Sequence, residues 1–187
     1  RTYTDRKLEG PAWIFTDTDS LEVPLAGPWK LEFINGGPEL PKDFEIASPV
    51  SWTSLPDPAA KSFSGTARYT TTFDLTEAAP VGISIDLGTV AHTARLFIDG
   101  NPAGISWCPP HKLDLTDKLS KGRHTLAVEV TNLAANRIAE LDRRKVPWKR
   151  FHEINFVNID YKPFDASGWP AMDSGLQGPV RIYIRKP

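Results

Sequence analysis

The region that most constrains the fold is a series of short polar–apolar alternations between residues 91 and 132. Thr93 to Ile98 alternates polar and apolar side chains and ends in Asp99-Gly100-Asn101. Asp and Asn beside Gly tolerate the positive φ angles of a tight hairpin turn. In Thr125 to Val130 the apolar residues recur at every second position, which is typical of a strand with one buried face. Two prolines exclude a central strand in the intervening segment Trp107 to His111. The region therefore predicts a hairpin, a loop and a core strand of an antiparallel sheet.

Proline and glycine are spread along the chain and leave little room for helices. The 187 residues include 17 Pro and 13 Gly, which interrupt helices and mark turns. Only Leu133 to Arg144 has a helix-forming composition, and Asn155 to Tyr161 is interpreted as a strand. About eight strands at this spacing predict one all-β antiparallel sandwich. We place this domain at residues 25–187, after an irregular lead-in at residues 1–24 in which Trp13-Ile14-Phe15 packs against the domain edge.

The charge balance excludes several classes of partner. The chain has 22 Lys and Arg residues against 23 Asp and Glu residues, a net charge of −1, with the two signs mixed. Because nucleic acids and anionic membranes select basic faces, we predict neither as a partner. No apolar run approaches the roughly 20 residues of a membrane span. The single cysteine, Cys108, excludes an internal disulfide, and without a motif-matched His or Asn it is a poor candidate for a nucleophile.

Several short motifs, taken in order, resemble domains of carbohydrate-degrading enzymes. Phe63–Phe73, Leu87-Gly88 and Ala94–Gly100 resemble the sugar-binding-like β-sandwich of family 2-type glycoside hydrolases, a jelly roll of the galactose-binding-like kind. Five further motifs resemble the C-terminal sandwich of large bacterial α-L-rhamnosidase-like enzymes, glycoside hydrolase family 106. They are Trp107–Pro110, Asp114–Thr116, Glu129–Asn132, Asn136-Arg137 and Ser174–Val180. The resemblance spans residues 25 to 185 in the order that this family shows.

This resemblance implies an accessory domain of a bacterial glycoside hydrolase. In such enzymes the catalytic carboxylates are expected on a separate barrel domain, so the implied partners are that catalytic domain and a carbohydrate, such as a rhamnose-containing or pectic glycan. The resemblance also implies export to the periplasm or the exterior. The start at Arg1, with neither Met nor a signal region, leads us to expect a piece of a longer protein.

The resemblance carries one further implication and one departure. Galactose-binding-like folds often carry a structural Ca²⁺, although no Asp-rich loop marks a calcium site in this sequence; no other cofactor is expected. The family typically has Asn-Arg-Leu followed by Gly-Asp, whereas Asn136-Arg137-Ile138 is followed here by Ala139–Asp142. If that loop contacts substrate in relatives, its contacts have changed in this chain.

A carbohydrate site needs an aromatic platform for the sugar ring and planar polar groups for its hydroxyls. Trp107 and His111 lie on the Pro-Pro loop, and the prolines would hold Trp107 rigid. Asn136, Arg137 and Trp169 supply the same residue types further along the chain. The alternative interpretation is that both tryptophans pack in the core or between domains. For the charged segment around Arg137, the alternative is a solvated turn with local ion pairs.

A glycosidase centre is less well supported. It requires two carboxyl groups about 5 to 9.5 Å apart. Six residues are available, but their spacing pairs none of them: Glu129, Glu140, Glu153, Asp160, Asp165 and Asp173. Three functions therefore follow in order of preference: a non-catalytic accessory domain of a glycoside hydrolase, an independent carbohydrate-binding module, and a stand-alone hydrolase.

Overall fold

The computed structural model describes residues 20–23, 25, 27–76, 82–151, 154 and 156–185. They form twelve strands: β1 Ser20–Val23, β2 Trp29–Gly37, β3 Phe44–Ile46, β4 Ser64–Leu75, β5 Gly82–Asp86, β6 Thr89–Ala91, β7 Thr93–Ile98, β8 Asn101–Ser106, β9 Lys112–Asp114, β10 Gly122–Thr131, β11 Gly175–Gly178 and β12 Arg181–Arg185. Two α-helices accompany them, α1 Pro58–Ser62 and α2 Ala135–Arg143. Short 3₁₀ turns lie at Trp52–Ser54 and Thr116–Lys118.

The strands form two main sheets, and every pair of neighbouring strands is antiparallel. The larger sheet has the order β3-β2-β4-β10-β7-β8, and the smaller has the order β1-β12-β5-β9. Strands β11 and β6 form a separate two-stranded ribbon. This arrangement confirms the predicted all-β antiparallel sandwich. Helix α2 also confirms the one helix predicted, within Leu133 to Arg144.

The core lies between the sheets because the strands alternate as the sequence predicts. In β10, Leu126, Val128 and Val130 are fully buried. In the larger sheet, Val128 pairs with Tyr69 of β4 on one side and with Leu96 of β7 on the other. The smaller sheet contributes the buried isoleucines of β5 and β12 to the same core: Ile83, Ile85, Ile182 and Ile184.

Two local predictions are wrong. Residues 20–23, within the predicted irregular lead-in, form β1, which pairs with β12 at the sheet edge; Trp13-Ile14-Phe15 lies outside the described residues. The segment Asn155 to Tyr161 was predicted to be a strand, but its described part forms a turn. The Asn158 side chain accepts hydrogen bonds from the backbone N–H groups of Asp160 and Lys162. This local turn competes with strand pairing. The domain boundary at residue 24 stays a prediction.

One end of the sandwich, here called the loop end, carries most of the irregular chain. Thr131, the last residue of β10, lies beside Thr93 of β7, and Ser106 at the end of β8 lies beside Ala94. The loop after β8 and helix α2 after β10 therefore leave the larger sheet at the same end. Residues 144–174, here called the long loop, connect α2 to β11 at this end.

Polar side chains attach α2 and the long loop to the sandwich. The Asn132 side chain donates to the Phe63 carbonyl and to Ser174 Oγ, and accepts from the Gly65 N–H. Trp52 N–H in turn donates to the Ser174 carbonyl at 2.9 Å. Asn132 and Ser174 are both buried. Because buried polar groups are costly unless they are paired, this network fixes where the long loop returns to the sheet.

Candidate functional site at the loop end

The loop after β8 presents Trp107 to solvent and buries His111. The Trp107 side chain is 75% exposed, whereas His111 is only 4% exposed. His111 Nδ1 hydrogen-bonds Ser106 Oγ at 2.8 Å, and burial lowers the pKa of the His111 imidazole, so that the neutral form is favoured. Leu87 N–H also donates to the His111 carbonyl. His111 thus holds the loop in place, while Trp107 is free to contact a ligand or another domain.

Helix α2 contributes one buried and one partly exposed candidate. The Asn136 side chain donates to the Met172 carbonyl at 2.7 Å and accepts from the Met172 N–H at 2.8 Å. Asn136 is buried, and this paired contact binds the helix to the long loop. The neighbouring Arg137 side chain is partly exposed. Of these two residues, Arg137 is the one placed to reach a ligand.

Trp169 belongs to an aromatic cluster that organises the long loop. Its ring packs edge-on against Phe164 with centroids 5.6 Å apart. Trp148 packs edge-on against both Phe164 and Phe156. Trp169 remains 41% exposed. Aromatic pairs of this geometry add about 0.5–1.5 kcal/mol each beyond their buried area, so the cluster gives the loop a small core of its own.

The five predicted residues therefore fall into two groups. Trp107 and His111 lie on the loop after β8, at one edge of the larger sheet. Asn136, Arg137 and Trp169 lie on α2 and the long loop. Asn136 and His111 use their polar atoms within the chain. Sugar contact by each of the five residues stays a prediction.

An open groove that the sequence reasoning missed lies between the end of α2 and the long loop. It has a volume of about 740 Å³ and is lined by Asp142, Arg143, Lys145, Val146, Pro147, Trp148, Lys149, Asp165 and Ser167. The side chain of Asp142, one of these lining residues, is only 7% exposed. The carboxylate accepts from Trp148 Nε1 at 2.7 Å, from the Ala166 N–H at 2.8 Å and from Lys149 Nζ at 3.1 Å. The signal that could have revealed this groove is the basic run from Arg143 to Arg150.

Asp142 and Asp165 are both held in the charged form. Burial alone would raise the pKa of Asp142, but its hydrogen bonds to Ala166, Trp148 and Lys149 lower it. The Ser167 backbone N–H lowers the pKa of Asp165. Hydrogen bonds to a carboxylate favour its ionised state. Neither group is therefore prepared to act as a general acid near neutral pH.

The described residues show neither a metal-binding cluster nor a membrane-spanning helix. They contain no group of three or more His, Cys, Asp or Glu side chains that could hold a metal ion, so the structural Ca²⁺ stays a prediction. None of the helices within these ranges is long and apolar enough to cross a membrane.

Comparisons with known proteins connect the chain to large glycoside hydrolases. The protein of Formosa agariphila named "Putative beta-glucuronidase" is 30% identical to it, over 87% of this chain and 16% of that protein. The solved structure of a rhamnosidase from Novosphingobium sp. PP1Y matches with a TM-score of 0.72 and 26% identity, over 95% of this chain and 16% of that one. No family model matches the chain.

A third match extends the fold to a more distant enzyme. The structure of a β-D-glucuronidase from Dictyoglomus thermophilum has a TM-score of 0.58 at 15% identity, over 93% of this chain and 29% of that one; at this identity it shows the fold alone. The chain thus spans between about a sixth and a third of the proteins that it matches. The sequence resemblance is confirmed at this level: the chain corresponds to a β-sandwich domain of large glycoside hydrolases.

Proposed function

We propose that this domain is a non-catalytic accessory domain that packs on the catalytic domain of a glycoside hydrolase through its long loop. The partial coverage of the matched proteins supports this proposal, since they are several times longer than the sandwich. Domains within one chain usually meet through moderately polar interfaces of 600–1,500 Å².

The observation that carries the proposal is a set of exposed large apolar side chains in the long loop. Phe151, Ile154, Ile159 and Tyr161 are 71%, 75%, 95% and 78% exposed; they are called here the apolar stretch. The described part of the same loop is ordered by the aromatic cluster and by Asn158. An ordered loop that presents large apolar side chains is typical of a protein–protein contact site.

The carboxylates argue against catalysis by this chain. A glycosidase needs one carboxyl group held protonated as the general acid and a second held ionised. Asp142 and Asp165 share a groove, yet the pKa values of both are lowered. The buried Glu129 is occupied by an ion pair with Arg68 at 2.5 Å. These features favour the accessory role over a stand-alone hydrolase.

The test is to measure association between this chain and the remaining domains of the parent hydrolase, produced separately. Ile159→Asp places a charge on a turn residue that is 95% exposed, so the fold itself should be unaffected. Full burial of such a side chain contributes about 1.5–3 kcal/mol, and its loss should weaken association roughly 10- to 100-fold. The matched control is Leu21→Asp on the edge strand β1, far from the loop end.

Two outcomes would contradict the docking proposal. One is the absence of association with a folded wild-type chain. The other is association that Ile159→Asp and Leu21→Asp weaken equally.

The alternative is an independent carbohydrate-binding module, which the exposure of Trp107 favours. An aromatic ring that is 75% exposed on a loop anchored by His111 is suited to stack on a sugar ring. This alternative requires the isolated chain to bind glycan without a catalytic domain.

Export of the protein also stays a prediction.

A further inference from the structure

The groove beside Asp142 carries a local excess of positive charge. Residues 137–150 include six basic and two acidic residues, although the chain as a whole has a net charge of −1. Positive charge is therefore concentrated in this segment. Three of the basic residues, Arg143, Lys145 and Lys149, line the groove. The structure thus places three cationic side chains around a groove that is large enough for a small-molecule ligand.

Two acidic groups near the groove are in ion pairs, whereas Asp165, which also lines it, has no ion pair with any described residue and accepts a hydrogen bond from the Ser167 N–H. Asp142 bonds Lys149 and two N–H donors, and Glu140 pairs with Arg143 at 2.5 Å. Lys145 is exposed, and it has no ion pair with any residue that the structure describes. Its φ of 55° and the bond from its N–H to the Asp142 carbonyl place it in the turn that ends α2. Lys145 is therefore the cation most available to an anion in the groove.

Trp148 adds an aromatic surface to the same groove. Its Nε1–H is committed to Asp142, and its ring packs edge-on against Phe156 and Phe164 at centroid distances of 5.8 and 6.2 Å. These contacts fix the orientation of the indole before any ligand binds. A rigid aromatic ring beside cations suits a ligand that has both an apolar ring face and a negative charge.

We propose that this groove binds a carboxylate-bearing sugar unit of an acidic glycan, with Lys145 facing the carboxylate and Trp148 contacting the ring. The proposal rests on the proposed function to the extent that a domain of a glycoside hydrolase encounters glycans. Nucleic acid fits less well, because tight binding to it requires many phosphate contacts along an extended basic surface. Here the groove is short and also contains Asp142 and Asp165.

The test is calorimetry of the full chain with an oligogalacturonate and with its fully methyl-esterified form. The ester keeps the sugar rings but removes the negative charges. Saturable binding of the acid alone is expected, and Lys145→Glu should weaken it about tenfold, as expected for loss of a charge-assisted contact. The matched control is Lys121→Glu, an exposed lysine in the turn before β10. A single-stranded oligothymidylate serves as an unrelated polyanion.

Each outcome decides the proposal once circular dichroism has shown that the variants are folded. Binding of the acid that is lost in Lys145→Glu and retained in Lys121→Glu supports it. No binding of the acid, equal binding of the ester, equal binding of oligothymidylate, or equal loss in both lysine variants would overturn it. Because no catalytic domain is present in this calorimetry, a negative result would refute the groove proposal without affecting the docking proposal. A negative result in the association assay would likewise leave the groove proposal unaffected.

Discussion

Replacing Tyr69 by Phe removes one buried hydroxyl oxygen that connects three parts of the molecule through its contacts. Tyr69 Oη accepts a hydrogen bond from Trp52 Nε1 at 2.5 Å and another from the Leu176 N–H at 3.1 Å, and it lies 3.5 Å from the Val50 carbonyl. Tyr69, Trp52 and Leu176 are fully buried. The hydroxyl thus joins β4 of the larger sheet to the turn at Trp52 and to β11.

The variant leaves two buried donors without a partner. Each such group costs about 1–3 kcal/mol, so Tyr69→Phe should lower the free energy of unfolding by about 3 kcal/mol. For a chain of this size each kcal/mol shifts the melting temperature by about 2–4 °C, so a decrease of about 6–12 °C is expected. Urea denaturation followed by fluorescence, together with thermal melting, measures both quantities.

The matched control is Tyr161→Phe, which removes a hydroxyl from a side chain that is 78% exposed. Surface substitutions of this kind usually change stability by less than about 0.5 kcal/mol. If Tyr69→Phe and Tyr161→Phe give the same small change, the three-way role of the Tyr69 hydroxyl is refuted. A change in the denaturant slope would instead point to an altered unfolded state.

Two further predictions concern pH and backbone conformation. Burial alone would lower the pKa of His124, but its hydrogen bonds to Asp99 and to the Ser120 carbonyl, both 2.7 Å long, raise this pKa above 6.5. The free energy of unfolding that His124 contributes should therefore be complete below pH 6.5. It should be lost as the pH rises through the raised pKa. The difference in unfolding free energy between wild type and His124→Gln, measured from pH 5 to 8.5, should shrink with increasing pH. Gly175 has a φ of +92°, and a Cβ there would overlap the Trp52 and Tyr69 side chains, so Gly175→Ala should destabilise the fold by at least about 2 kcal/mol in urea denaturation.

Both predictions have internal checks. A difference between wild type and His124→Gln that is constant over the pH range would contradict the role of the charged imidazole; the comparison with wild type cancels the opposite contribution of His111, whose pKa is lowered. For the glycine, the control is Gly168→Ala, where a Cβ meets open space. Equal stabilities of the two alanine variants would show that the packing around Gly175 can relax.

The sequence predicted the sheets well because their signals are local. Thr93–Ile98 was predicted with the observed bounds, since the alternation and the Asp-Gly turn both lie within a few residues. Strand β1 was missed because four residues carry too little periodicity to be recognised. The turn at Asn158 was missed because one side chain, rather than a hydrophobic pattern, determines it.

The groove beside Asp142 was not predicted, because its parts are distant in sequence. His111 lies on the same loop as Trp107, but its burial and the bond of its ring to Ser106 depend on the folded sheet and not on the loop sequence. The groove brings Lys145 to Lys149 together with Asp165 through the aromatic packing of the long loop and the bonds of Asp142. No spacing rule in the sequence reports such contacts.

The pairing of β1 with β12 determines how the sandwich would respond to mechanical force. Ser20 of β1 lies opposite Arg185 of β12, so the first and last described strands of the chain meet at the end of the sandwich away from the long loop. Because the hydrogen bonds of an antiparallel pair are perpendicular to the strands, tension applied at Ser20 and Arg185 would open this ladder one residue pair at a time. Strand β1 is short and lies at the sheet edge. Tension would therefore peel off β1 first and leave the core between the two sheets, including the Tyr69 network, intact at low loads.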